Sequence, residues 1–132
     1  LTDISDWERR ERTRTERYIA GLLEDRLGSL LLTKLAQTPE VALIEARRWS
    51  QLLETGARNI AEGQRSGAVA APESPLLLAA MVLGGVRTAV AQAMQNPEAL
   101  SLPTLATEIW EFQRRALQLA VAESGEAGST SE

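Results

Sequence analysis

The chain has no cysteine and no histidine. Without cysteine there are no disulfides and no thiolate chemistry. Without histidine as well, the usual zinc sites and every Ser-His or Cys-His mechanism are excluded. No glycine-rich loop that could cradle phosphate is present, nor a helical Glu-x-x-His metal signature. Carboxylates occur in pairs such as Glu24-Asp25, but neighbours in a helix point in different directions and make no catalytic dyad. We therefore expect no enzyme, no cofactor and no metal. Positive charge is not in excess either: the net charge is −4, so the chain as a whole carries no electrostatic footprint for nucleic acid. No basic, apolar and small-residue leader opens the sequence. The lack of cysteine is compatible with a cytoplasmic location, which is our expectation.

The 132 residues, 44% hydrophobic and 24% charged, suit one globular domain. Stop and start signals divide it into four helices, with no segment reading as a strand. The first helix spans about residues 6–36. Its second half places Ile19, Leu22, Leu23, Leu27, Leu30, Leu31 and Leu35 on one face at spacings of three and four. Its first half alternates in charge, with Glu8 and Arg12 set for an ion pair. Residues 1–17 thus read as a solvated or frayed helix start, or a linker. Their arginines could instead meet DNA phosphates, but nearby acids cancel most of that field.

Thr38-Pro39-Glu40 is a strong helix start: a capping hydroxyl, a proline in the first turn and an acid at the positive end of the dipole. That helix should end at Ser66 before Gly67. Ala42, Ala46, Trp49, Leu53, Gly56 and Ile60 form its buried stripe, and Arg47, Gln51, Glu54, Arg58, Glu62 and Arg65 its wet one. Residues 68–73 read as a loop. Ser74-Pro75 then caps a third helix, which Asn96-Pro97 ends. A fourth begins near Ser101, with Leu105, Ile109, Phe112 and Ala116 on one stripe and Ala106, Trp110, Gln113 and Leu117 on the next. Residues 123–132 are small, polar and acidic, and read as a disordered tail.

The third helix is apolar almost all round from Leu76 to Met94, interrupted only by Arg87, Thr88 and Gln92. Such a helix belongs in a large core, a membrane or a subunit interface. The unbroken apolar run is short for a bilayer and Arg87 stands near the middle, so the membrane is disfavoured. A chain this short has too few segments to surround the helix, which leaves self-association. The wide apolar face of the fourth helix points the same way. Together the two helices would form a four-helix, two-fold interface carried by Leu83, Gly84, Val86, Arg87, Val90, Ile109, Phe112 and Ala116. Gly84-Gly85 fits close approach of another helix, or alternatively relieves crowding within one subunit. Arg87 needs a partner: Glu54, Glu108 or Glu111, within or across subunits, or an anionic ligand. Trp49 with Leu23, Leu27, Leu31, Leu53 and Met81 could form filled core or line an apolar ligand pocket.

The run Asn59-Ile-Ala-Glu-Gly-Gln-Arg-Ser-Gly67, followed after a short loop by Leu76-Leu-Leu-Ala-Ala-Met-Val-Leu-Gly-Gly-Val-Arg-Thr-Ala89, resembles the C-terminal domain of TetR-like transcriptional regulators. The stretch Leu102-Pro-Thr-Leu-Ala-Thr-Glu-Ile-Trp-Glu-Phe112 is similar to that family's last helix. The likeness covers about residues 18–122. It implies an all-α bundle that binds a small, often apolar effector and dimerises through its last two helices, 74–95 and 102–122 here. It also implies an N-terminal helix-turn-helix domain, which this chain lacks, so DNA would be reached only through that missing part. A first residue other than methionine suits an excised effector domain. The family has no shared ligand motif, so the pocket residues named above rest on face and position. The rival reading is a helical homodimerisation or adaptor module with a solid core and no ligand.

Overall fold

The computed structural model describes residues 4–32 and 38–120, and the side chains of 4–25 and 38–120. Four helices make up the fold: α1 (Ile4–Leu32), α2 (Pro39–Ser66), α3 (Pro75–Gln95) and α4 (Leu102–Ala116). The punctuation read from the sequence operates as chemistry. The Thr38 hydroxyl accepts the Val41 N–H at 3.3 Å and the Ser74 hydroxyl accepts that of Leu77 at 3.3 Å. Each satisfies one donor that a helix start leaves free. Gly67 ends α2 at φ 87°, a conformation that favours glycine. Residues 123–132, expected from the sequence to be a tail, lie outside the described residues, as do the side chains of Leu27, Leu30, Leu31 and Leu35.

Helix α3 packs on all three others, most extensively on α2. Its contacts fix the directions. Gly56 of α2 faces Ala79 and Leu83, while Trp49 faces Arg87, so α2 runs antiparallel to α3. Trp7 of α1 shares a cluster with Leu78 and Ala79, and Ile19 shares one with Val86 and Val90, so α1 runs parallel to it. The core falls into two clusters along this axis. One gathers Trp7, Ile60, Leu78, Ala79, Trp110 and Leu117; the other gathers Ile19, Val86, Val90, Ala93, Leu105 and Ile109. Val82 packs against both.

The charged start of α1 is not a frayed end. Trp7 is fully buried, and its indole Nε1 donates to the Asn59 carbonyl at 2.8 Å. Gly63 makes room for it: a Cβ there would stand 2.7 Å from the ring. Thr15 is buried as well, taking a hydrogen bond from Gln113 Nε2 at 3.0 Å. The expected Glu8–Arg12 pair does not form. Arg12 meets Glu16 at 3.3 Å, and Arg10 reaches across to Glu62 at 3.4 Å.

Residues 68–73 are tied down rather than loose. Ala70 and Ala71 donate to the carbonyls of Gln118 and Leu117, and Ala120 donates to that of Ala68, around a single antiparallel bridge between Val69 and Leu119. Gln64 Nε2 adds bonds to the Ala71 and Glu73 carbonyls, each 2.9 Å. These bonds satisfy backbone groups that would otherwise be buried unpaired.

The stripe assigned to α2 buries only toward its C-terminal end. Ile60 is buried and Trp49, Leu53 and Gly56 are half-buried, but Ala42 and Ala46 are exposed. With Trp49 level with Arg87, Ala46 and Ala42 fall opposite about residues 90 and 94 of α3, and there the two helices are separated by an open cavity instead of packing on each other.

Candidate functional site

The side of α3 turned away from the core carries Leu77, Met81, Gly84, Gly85, Thr88 and Gln92. These fall at spacings of four, three, one, three and four, one narrow stripe on a helix. Met81 is 67% exposed and Leu77 48%. Beside them on α4, Phe112 is 64% exposed. Between α3 and α4 runs an apolar groove of about 370 Å³, lined by Val82, Gly85, Ala89, Leu105, Ile109 and Phe112 among others. A Cβ built on Gly84 or Gly85 would meet nothing within 4 Å. The two glycines therefore relieve no crowding within the subunit, in contrast to Gly56 and Gly63 on α2, where a Cβ would come to 3.0 Å and 2.6 Å of a neighbour. By length and composition α3 could cross a bilayer, yet its opposite side is packed on the other helices and Arg87 stands past its midpoint.

The residues expected at the interface separate into two groups. Gly84, Phe112 and Ala116 lie on or beside the free face. Val86, Val90 and Ile109 are buried in the subunit's own core, and half-buried Leu83 packs against Gly56 and the first cluster. Arg87 points to a different place altogether.

That place is an open cavity of about 490 Å³ lined by α1, α2 and α3, with Asp25, Glu45, Arg48 and Arg87 exposed around it. Tyr18, Leu22 and Asp25 come from α1; Glu45, Arg48, Trp49 and Leu52 from α2; Arg87, Val90, Ala91 and Met94 from α3. The Arg87 guanidinium lies over the Trp49 ring, 4.8 Å from its centroid, within the range of a cation–π contact. Among the described residues no carboxylate forms a salt bridge with Arg87, so the expected pairing with Glu54, Glu108 or Glu111 is replaced by the indole. Arg48 is paired with Glu45 at 3.5 Å. Burial pushes the Tyr18 phenol above its usual pKa of 10.0, and the positive charge of Arg87 partly offsets this. Tyr18 therefore keeps its proton at neutral pH and stands close enough to Arg87 to feel its field.

Of the residues expected to line a pocket, Trp49 does so. Leu23 packs against the second core cluster and Leu53 against the first. Met81 is on the outer surface, and the side chains of Leu27 and Leu31 lie outside those described. Sequence reasoning missed Tyr18, Leu22, Leu52 and Met94. The signal for them was the solitary Arg87, since the residues around an uncompensated cation mark where it is held. A smaller cavity of about 90 Å³ touches Thr15 and Gln113. There Gln113, almost wholly buried, leaves its Oε1 without a hydrogen-bond partner. Among the described residues no group of three or more acidic side chains could hold a metal ion.

Compared with known proteins, the chain matches no family model, no curated protein and no solved structure.

Proposed function

We propose that the chain is the ligand-sensing and dimerisation domain of a TetR-like transcriptional regulator, and that it works as a homodimer. The observation that carries this reading is the combination of two features on one short bundle. A cavity of about 490 Å³ lies between α1, α2 and α3, within the size range of small-molecule sites. On a different side of α3, an apolar stripe with two uncrowded glycines has no partner among the described residues. Glycine in a helix interior costs about 1 kcal/mol against alanine. Here that cost is not offset inside the subunit, and close approach by α3 of a second copy supplies a reason for it. Two-fold pairing of α3 and α4 would cover Met81, Phe112 and the groove between them at once.

The cavity favours a sensor over an adaptor with a solid core. Its occupant would be a small, largely apolar effector. Because α1, α2 and α3 all line it, filling it would favour one arrangement of these helices. In the regulator, α1 would pass that choice to the DNA-reading parts, whose spacing sets the fit to the two half-sites. We place the protein in the cytoplasm, with DNA met only through the helix-turn-helix domain.

Native mass spectrometry tests both parts. The expected spectrum is a dimer at micromolar concentration, reduced to monomer when Met81 and Phe112 are both changed to Glu, with small-molecule adducts on the unaltered chain. A monomer from the unaltered chain would remove the dimer from this reading. A dimer that takes up no small molecule from a panel of apolar compounds would favour the adaptor.

A further inference from the structure

The polar groups of the cavity are not spread evenly, and their arrangement bears on what it holds. Tyr18, Trp49 and Arg87 come from three different helices and stand at one level. Arg87 lies over the Trp49 ring, and its charge reaches the Tyr18 phenol. The two acids of the lining lie further along, whereas Arg48 is the neighbour of Trp49 in α2. Asp25 is seven residues beyond Tyr18 on α1, on the order of 10 Å at the α-helical rise, and Glu45 is already bound to Arg48 at 3.5 Å. Toward that end the apolar walls are Leu22, Val90, Ala91 and Met94. One level therefore offers a guanidinium that pairs with no carboxylate among the described residues and a phenol that keeps its proton, both hydrogen-bond donors, and an apolar trough leads away from them.

On the reading that this cavity is a ligand site, we propose that its ligand is an amphipathic carboxylate, with the acid group held by Arg87 and the Tyr18 hydroxyl and the apolar body lying along Leu22, Val90, Ala91 and Met94. A guanidinium suits a carboxylate because its planar fork donates two parallel hydrogen bonds. A stacked arginine is already oriented, so little freedom is lost when the acid arrives. The indole keeps its contact with one face of the guanidinium, while the in-plane N–H groups remain available to the ligand. Arg48 and Glu45 neutralise each other, and Asp25 is too far along α1 to compete for Arg87 at its own level.

The test is a headgroup series on one apolar body: decanoate, decan-1-ol and decylammonium, titrated calorimetrically into the full chain at neutral pH. A hydrogen bond to a charged group is worth roughly a 10- to 100-fold gain in affinity. We expect decanoate to bind more tightly than decanol by about that factor, with decylammonium weakest. In Arg87→Gln the acid should fall to the level of the alcohol, and the alcohol itself should change little. Equal binding of acid and alcohol, or tightest binding of the ammonium, would overturn the proposal while leaving the cavity a ligand site. An acid preference that survives in Arg87→Gln would overturn it too. If none of the three compounds binds, the ligand-site reading falls with it.

Discussion

Tyr18 shows how one side chain ties packing to solution behaviour. Its ring packs against the second core cluster and lines the cavity wall. Burial disfavours the phenolate, so the folded state holds the proton more tightly than the unfolded chain, whose pKa is 10.0. The sign of the linkage follows. The contribution to stability is complete below the unfolded value and is lost as the pH climbs through the raised folded value. Between about pH 9 and about pH 11, denaturant midpoints should therefore fall further for the unaltered chain than for Tyr18→Phe. Arginine stays protonated throughout that interval, so Arg87 remains a cation and the comparison isolates the phenol. Equal losses in the two proteins would show that the ring is not held against ionisation.

At the scale of the helices, boundaries were legible and orientation only partly so. The capping hydroxyls of Thr38 and Ser74, the prolines that follow them and Gly67 act locally, and local chemistry can be read from a few residues. The inner face of α1 could not be read that way. Its buried positions Trp7, Thr15 and Ile19 are joined by Glu11, whose side chain is only 14% exposed and pairs with Arg14 at 2.6 Å. Two polar residues in a stripe erase its hydrophobic periodicity, although the spacing of four persists. The cavity was hidden for a related reason. Trp49 was legible as an inward residue, but which side chains face it depends on the register of α2 against α3. Gly56 allows close contact with Ala79 and Leu83 of α3, and Gly63 with Trp7 of α1. Substituting Gly63 by Ala would place its methyl carbon 2.6 Å from Val69 Cγ2 and 2.7 Å from the Trp7 ring. Overpacking of this kind typically costs about 1–3 kcal/mol. A urea midpoint lowered accordingly is the expected result, and an unchanged midpoint would mean that α1 does not seat on α2 through Trp7.

For the whole molecule, the all-round apolar character of α3 resolves into two unequal sides. One is consumed by the subunit, where Val86, Val90 and Ala93 meet Ile19, Leu105 and Ile109. The other, with Met81 and Gly85, is left over and continues into Phe112. Ile109 of α4 is read from the sequence as an interface residue, but periodicity alone does not say how far a neighbour reaches around a helix. The free side yields a prediction in which one substitution has opposite effects on two quantities. Alanine at both Gly84 and Gly85 meets no atom within the subunit, and it removes backbone freedom from the unfolded chain. In the chain held monomeric by Met81→Glu and Phe112→Glu, it should raise stability by about 0.5–1 kcal/mol per site. In the proposed dimer of the unaltered background, the same two methyl groups would stand between closely approaching helices. The dimer should then dissociate at higher concentration, as sedimentation velocity across a dilution series would register. If the alanines stabilise the monomer and leave association untouched, the two copies do not cross at these glycines, and the contact must be centred nearer Phe112 on α4.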